Sequence, residues 1–146
     1  MSHVAEVELH VTDLEALKDA CSALGMQFIE NQKTHRWYGV YMGDSILPAG
    51  FTPDELGKCD HAIAVPDNPR AYEIGVTRRR DGKPGYALYY DNWYGGYGLE
   101  EKAGVNACKL KQEYAAQVAG RQLTQQGYRV RRTITQEGRI RLAASR

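Results

Sequence analysis

Gly85–Gly98 reads GYALYYDNWYGGYG, with six aromatic residues among fourteen: Tyr86, Tyr89, Tyr90, Trp93, Tyr94 and Tyr97. Read as a strand, its first half places Tyr86, Leu88 and Tyr90 on one face and Ala87 and Tyr89 on the other. One of these faces has to cover helices, so at least two of the tyrosines belong to a core, and tyrosine favours strands. Trp93, Tyr94 and Tyr97 lie beyond the strand among Asp, Asn and glycines. Two readings stand for them. They fold back to cap the end of the sheet, or they are exposed for protein recognition or for stacking on unpaired bases. YGGYG lacks the Lys-Ser/Thr pair that follows a phosphate cradle, and it reads as a flexible loop.

Working outward, Val7, Leu9 and Val11 alternate with Glu6, Glu8 and His10, which predicts a strand over Val4–Val11. Thr12 and Glu15 have capping-box spacing ahead of a helix over Thr12–Leu24, with Leu14, Leu17, Cys21 and Leu24 on one face. MQFIEN, HAIAVP and YEIGVTRR read as further strands, DNP and DGKPG as turns. Residues 31–60 show no sustained period; Trp37, Tyr38 and Tyr41 start a strand at most, and the region reads as an insertion or irregular elaboration. A second helix is expected over Val105–Gln125, with Ala107, Leu110, Tyr114 and Val118 on one face, and a kink or end of that face at Gly120–Arg121. The order β-α-β-β-β-β-α-β-β implies one α+β domain, residues 1–146, in two layers. A mostly antiparallel sheet carries two helices on one face and ends in a C-terminal β-hairpin.

YRVRRTI and RIRLA flank the turn TQEG as that hairpin. Val130, Arg132 and Ile134 on the first strand, with Ile140 and Leu142 on the second, are expected to face the core. Arg129, Arg131, Arg139 and Arg141 then share the other face. They are either salt-bridged to acidic residues elsewhere in the fold or open to phosphate or an acidic protein surface. The charge distribution sharpens the question. Net charge is +1, but Lys109–Arg146 holds nine basic residues against Glu113 and Glu137, a net +7, and the first 108 residues hold ten against sixteen, a net −6.

With 146 residues, 42% hydrophobic and 25% charged, the chain suits one soluble domain. No apolar run is long enough for a membrane span, and the opening has no secretory-signal pattern. Cys21, Cys59 and Cys108 are odd in number and widely spaced, against a disulfide framework and for a reducing, cytoplasmic setting.

Several segments together resemble the family known as domain of unknown function 1257. They are the opening MSH with its strand and LEALKDAC helix, the central YEIGVTRRRDGKPGYALYYD, and the closing KLKQEYAAQVAGRQLTQQGYRVRRTITQEGRIRLAAS. That group includes a hypothetical open-reading-frame product of plastids and cyanobacteria and relatives in bacteriophages. Residues 36–60 lie outside the resemblance. It implies the same fold and, for a phage-encoded chain, the host cytoplasm, and it carries no catalytic motif to transfer.

Chemistry is sparsely signalled. Cys59 and His61 are the one close pair of metal-ligating or nucleophilic type. They lack C-x-x-C or H-x-x-x-H spacing and the further ligands that a zinc site needs. Cys21 falls on an apolar helix face. No nucleophile elbow, Walker or dinucleotide motif occurs, and no cofactor or metal is expected. The expected function is therefore that of a non-enzymatic binding or adaptor module with a protein partner. The alternative is single-stranded nucleic-acid binding through Arg129, Arg131, Arg139 and Arg141 with Trp93 and Tyr94. A small enzyme centred on Cys59 and His61 is the third class.

Overall fold

Ala87 to Asp91 are five consecutive buried residues, which is possible only for a strand covered on both faces. The computed structural model, which describes residues 2–146, supplies both covers. The strand β5 (Tyr86–Asp91) lies between β1 (Val4–Val11) and β4 (Ile74–Arg78), and β3 (His61–Ala64) and β2 (Gln27–Ile29) complete an antiparallel sheet in the order β1-β5-β4-β3-β2. The register of β1 on β5 shifts between Glu6 and His10, a bulge in the edge strand.

On one face the sheet presents Val7, Val11, Ile63, Ile74, Val76, Leu88 and Tyr90. These pack with Ala16, Leu17, Ala20 and Cys21 of α1 (Leu14–Ala23) and with Leu110 and Tyr114 of α3 (Cys108–Gln125). Both long helices therefore lie on the same face, as the apolar periodicity implied. A short α2 (Leu99–Ala103), which periodicity did not reveal, adds Leu99 and Ala103 to that core. Leu14 and Val118, expected to be buried, are half-buried at its margin.

Local differences have physical causes. The N-cap of α1 is Asp13, whose Oδ1 accepts the Ala16 N–H at 3.0 Å, not Thr12. The Thr12 and Asp13 N–H groups donate to the Tyr114 hydroxyl at 3.0 and 3.2 Å, so α3 helps to close the start of α1. The helix α3 starts three residues after the expected Val105, because Asn106 and Ala107 adopt positive φ of 55° and 57°. It runs through Gly120 and Arg121 without interruption.

The opposite face is covered by residues 31–60, which act as a lining more than an insertion. Trp37, Tyr41, Leu47, Phe51 and Leu56 pack on Val4, Ala87 and Tyr89. Trp37 to Tyr41 form no strand; the regular features are a 3-10 turn at Pro53–Glu55 and a bridge between Thr34 and Lys58. His35 lies against the sheet at Gly75, where a Cβ would come 2.5 Å from its ring. Only glycine leaves room for that contact.

The hairpin β6 (Arg129–Ile134) and β7 (Ile140–Ser145) forms a second, two-stranded sheet apart from the first. Its apolar set does not face the main core. Val130, Ile140 and Leu142 are half-buried on the α3 side, and Ile134 is 67% exposed. Arg132 falls among that set because it reaches Glu113 of α3, a buried carboxylate, in a bidentate pair (Nη1 to Oε2, 3.0 Å).

Candidate interaction surfaces

Cys59 and His61 do not converge. The Cys59 thiol donates to the Gln32 carbonyl at 3.2 Å beside Gly75 and His35, and burial, with Asp60 and Glu73 nearby, pushes its pKa up to about 12. Burial thus keeps the thiol protonated where it packs beside Gly75 and His35. The His61 ring sits near Phe28 and Tyr86, and its Nδ1 accepts the Asn31 N–H at 2.9 Å. Among the described residues no three His, Cys, Asp or Glu side chains are placed to hold a metal ion. Among the described residues no helix is long and apolar enough to cross a membrane.

Trp93 and Tyr94 belong to a more organised feature than the flexible loop their composition implied. From Tyr94 to Tyr97 four successive residues are left-handed, with φ of 49°, 62°, 65° and 53°. Glycine accepts this freely and tyrosine at a cost of about 1–2 kcal/mol per residue. The surroundings hold the turn. Gly96 is buried, its carbonyl accepts the Tyr72 N–H at 2.8 Å, and a Cβ there would lie 2.9 Å from that of Leu99. The Asn68 side-chain amide donates to the Tyr97 carbonyl at 3.2 Å.

The turn is tied to the rest of the molecule through Asp91, which is fully buried at the end of β5. Its Oδ1 accepts the His3 and Trp93 N–H groups at 3.0 Å each, and its Oδ2 accepts the Tyr38 N–H at 3.1 Å. Three segments thus meet on one carboxylate. Ser2 extends the junction: its Oγ accepts the Met42 N–H at 3.1 Å, and its carbonyl accepts the Ser45 hydroxyl at 2.9 Å. His3 stacks on Trp93 with ring centroids 5.2 Å apart, Trp93 meets Tyr94 edge-on, and Tyr94 and Tyr72 each contact Tyr97.

The aromatic cluster is divided between packing and exposure. Trp93 caps the sheet end against His3, while Tyr94 is 74% exposed. The exposed large apolar residues of the described chain are Tyr38, Val40, Met42, Ile46, Tyr94, Tyr97, Val105 and Ile134. Six of these eight lie on the two loops that Asp91 joins. Tyr38 was visible in the sequence only as a possible strand residue. Val40, Met42 and Ile46 had no periodicity to single them out.

The hairpin arginines form a different surface. Cross-strand pairing sets Arg129 opposite Ser145, Arg131 opposite Ala143, and Thr133 opposite Arg141, and the Thr135 N–H donates to the Arg139 carbonyl at the next level. All four arginines share the face turned away from α3 and are exposed, as alternation implied. Arg129, Arg131 and Arg141 make no ion pair or side-chain hydrogen bond among the described residues, and Arg139 has only Glu137 at 3.9 Å, both largely exposed. The acidic excess of the first 108 residues is spent elsewhere. Asp13, Asp60, Glu73 and Asp91 accept backbone N–H groups, and Asp19, Glu30 and Glu55 pair with Arg121, Lys18 and Arg80. No hydrogen bond or aromatic contact joins the arginine face to Trp93 and Tyr94 among the described residues, so the two groups stand on separate supports. Comparison of the chain with family models, with curated proteins and with solved structures finds no match, and the functional reading rests on this geometry.

Proposed function

We propose that this protein is a non-enzymatic binding module that docks a protein partner through the patch formed by residues 38–46 with Trp93, Tyr94 and Tyr97. The observation that carries this reading is the gathering of six of the eight exposed large apolar side chains on two loops joined at one buried carboxylate. Tyrosine, tryptophan and methionine are enriched at the centres of protein interfaces, where they offer contact area at small entropic cost. Strain retained in Tyr94 and Tyr97 is of the kind that persists where surroundings over-determine a recognition loop. The buried carboxylates nearby are engaged with protein donors: Asp91 accepts three backbone N–H groups, and Glu73 accepts the Arg36 N–H and the Gln32 amide.

The test compares capture of cellular proteins by the native chain, by a Tyr38→Ser/Tyr94→Asn variant and by an Arg131→Gln/Arg141→Gln variant. Asparagine tolerates the left-handed conformation at position 94, so the first variant removes aromatic area without adding strain. A protein retained by the native chain and the arginine variant, and lost by the patch variant with a drop in affinity of about thirtyfold or more, is the expected result. Identical capture by all three overturns the reading.

A further inference from the structure

We propose that the outer face of the β6–β7 hairpin is a binding surface for the phosphodiester backbone of single-stranded nucleic acid, independent of the aromatic patch. Register is the starting point. Each level of the ribbon on this face holds one arginine and one small residue: Arg129 with Ser145, Arg131 with Ala143, Arg141 with Thr133, and Arg139 with Thr135. The first two arginines stand on β6, Arg141 stands on β7, and Arg139 immediately precedes β7. The file crosses from one strand to the other without ever placing two guanidinium groups directly opposite, where like charges repel most. Two residues of strand rise about 6.7 Å, so four levels carry a regular row of positive charge over about 20 Å.

Three properties of this row favour phosphates over an acidic protein. Its positions are evenly spaced. Two strand residues span about twice the 3.4 Å per-strand spacing of charges along a stacked nucleic acid, so a strand laid along the ribbon meets a guanidinium at about every second phosphate. Its remaining side chains are Thr133, Thr135, Ser145 and Ala143, three hydroxyls and a methyl. Hydroxyls donate to phosphate oxygens, whereas the face has no aromatic or large aliphatic residue to anchor a protein interface. Finally, three of its four arginines are unneutralised, and the fourth, Arg139, has only the exposed Glu137 at 3.9 Å. Arg129, Arg131 and Arg141 have no carboxylate partner among the described residues, while Arg132, one residue away but turned toward α3, has one in Glu113. Alternation separates a structural arginine from the row. The same absence of aromatics makes contact with the backbone, and not with bases, the mode of binding, so sequence selectivity is not expected.

The experiment measures fluorescence anisotropy of a labelled oligothymidylate with the full-length protein across a salt series. Binding at low salt with a log–log slope of about −2 to −3 is expected, since each of three or four contacts contributes about −0.7. Arg131→Gln/Arg141→Gln is expected to flatten the slope by about 1.4 units, whereas Arg70→Gln, at an exposed arginine off the hairpin, leaves it unchanged. The two hairpin residues contact no carboxylate, and an unchanged circular-dichroism melt verifies that the variant is folded. Absence of binding at low salt overturns the proposal, as does a slope indifferent to the hairpin substitutions or equally flattened by Arg70→Gln. Stronger displacement of the oligonucleotide by polyglutamate than by unlabelled oligothymidylate of equal charge assigns the face to an acidic protein, and also overturns it.

Discussion

The five-stranded sheet and the C-terminal hairpin are both antiparallel β-structure, and they are built on opposite terms. In the sheet, β5 is buried on both faces, by helices on one side and by the irregular 31–60 lining on the other. In the hairpin, only Val130, Ile140 and Leu142 are half-buried, against α3, and the other face is open. An isolated two-stranded ribbon is marginal in water, so the hairpin borrows its order from α3 through that apolar strip, the Arg132–Glu113 pair and Gln112. The side-chain amide of Gln112 donates to the Gly138 carbonyl, and its oxygen accepts the Ile140 N–H at 3.2 Å. The difference teaches that alternation reports how many faces are covered, not by what. A single helix satisfies it as well as a core does.

The largest expected contrast between the two regions is in amide hydrogen exchange. Leu88 and Tyr89 are expected to exchange only on global opening, and Arg131 and Ala143 about a thousandfold faster through local opening. Equal protection would make the hairpin part of the main cooperative unit and break the comparison. Truncation of core side chains comes next. Leu88→Ala is expected to cost about 2–5 kcal/mol in chemical denaturation and Leu142→Ala less than about 1 kcal/mol, because Leu88 has no exposure and Leu142 only partial burial. Arg132→Ala sharpens the role of the joint. It leaves the buried Glu113 carboxylate without its cation, at about 1–3 kcal/mol, with faster exchange in β6 and β7 as the accompanying signature.

The smallest effect concerns pH. Burial holds the His35 imidazole below its ordinary value of 6.5, so it is neutral when folded. Below that value the unfolded chain takes up a proton that the folded one does not. Stability therefore falls as pH drops through 6.5, and the fall levels off once pH is below the folded value. His35→Gln is expected to reduce that slope in melts taken between pH 7 and 5, while β6 and β7 exchange is untouched.

What was legible follows from the same physics. Val7, Leu9 and Val11 alternate with polar residues because that stretch of β1 has one covered face, while Val4 packs under the 31–60 lining, and the strand's limits could be read directly. Helix α1 was legible from Leu17 and Cys21, but not its cap, because the Thr12 N–H is taken by Tyr114, 102 residues away in sequence. The arginine file was legible because two-residue periodicity fixes a face, whereas the pairing of Arg132 was not, because its carboxylate partner lies on α3. Residues 31–60 were opaque because a lining without regular structure has no period. Asp91 was opaque as well: a carboxylate that accepts distant backbone N–H groups looks in sequence like any turn aspartate.

Asp91 also sets an order in time. Its three donors belong to segments 88, 53 and 2 residues away along the chain, and the two long loops are expected to close late because of the chain separation they bridge. The patch is thus expected to be among the last surfaces to form. Asp91→Asn should then leave the refolding rate nearly unchanged in stopped-flow measurements and accelerate unfolding. If the proposed partner needs both loops, it would engage only chains that have finished folding, and its binding would then double as a maturity check on newly made copies of the protein.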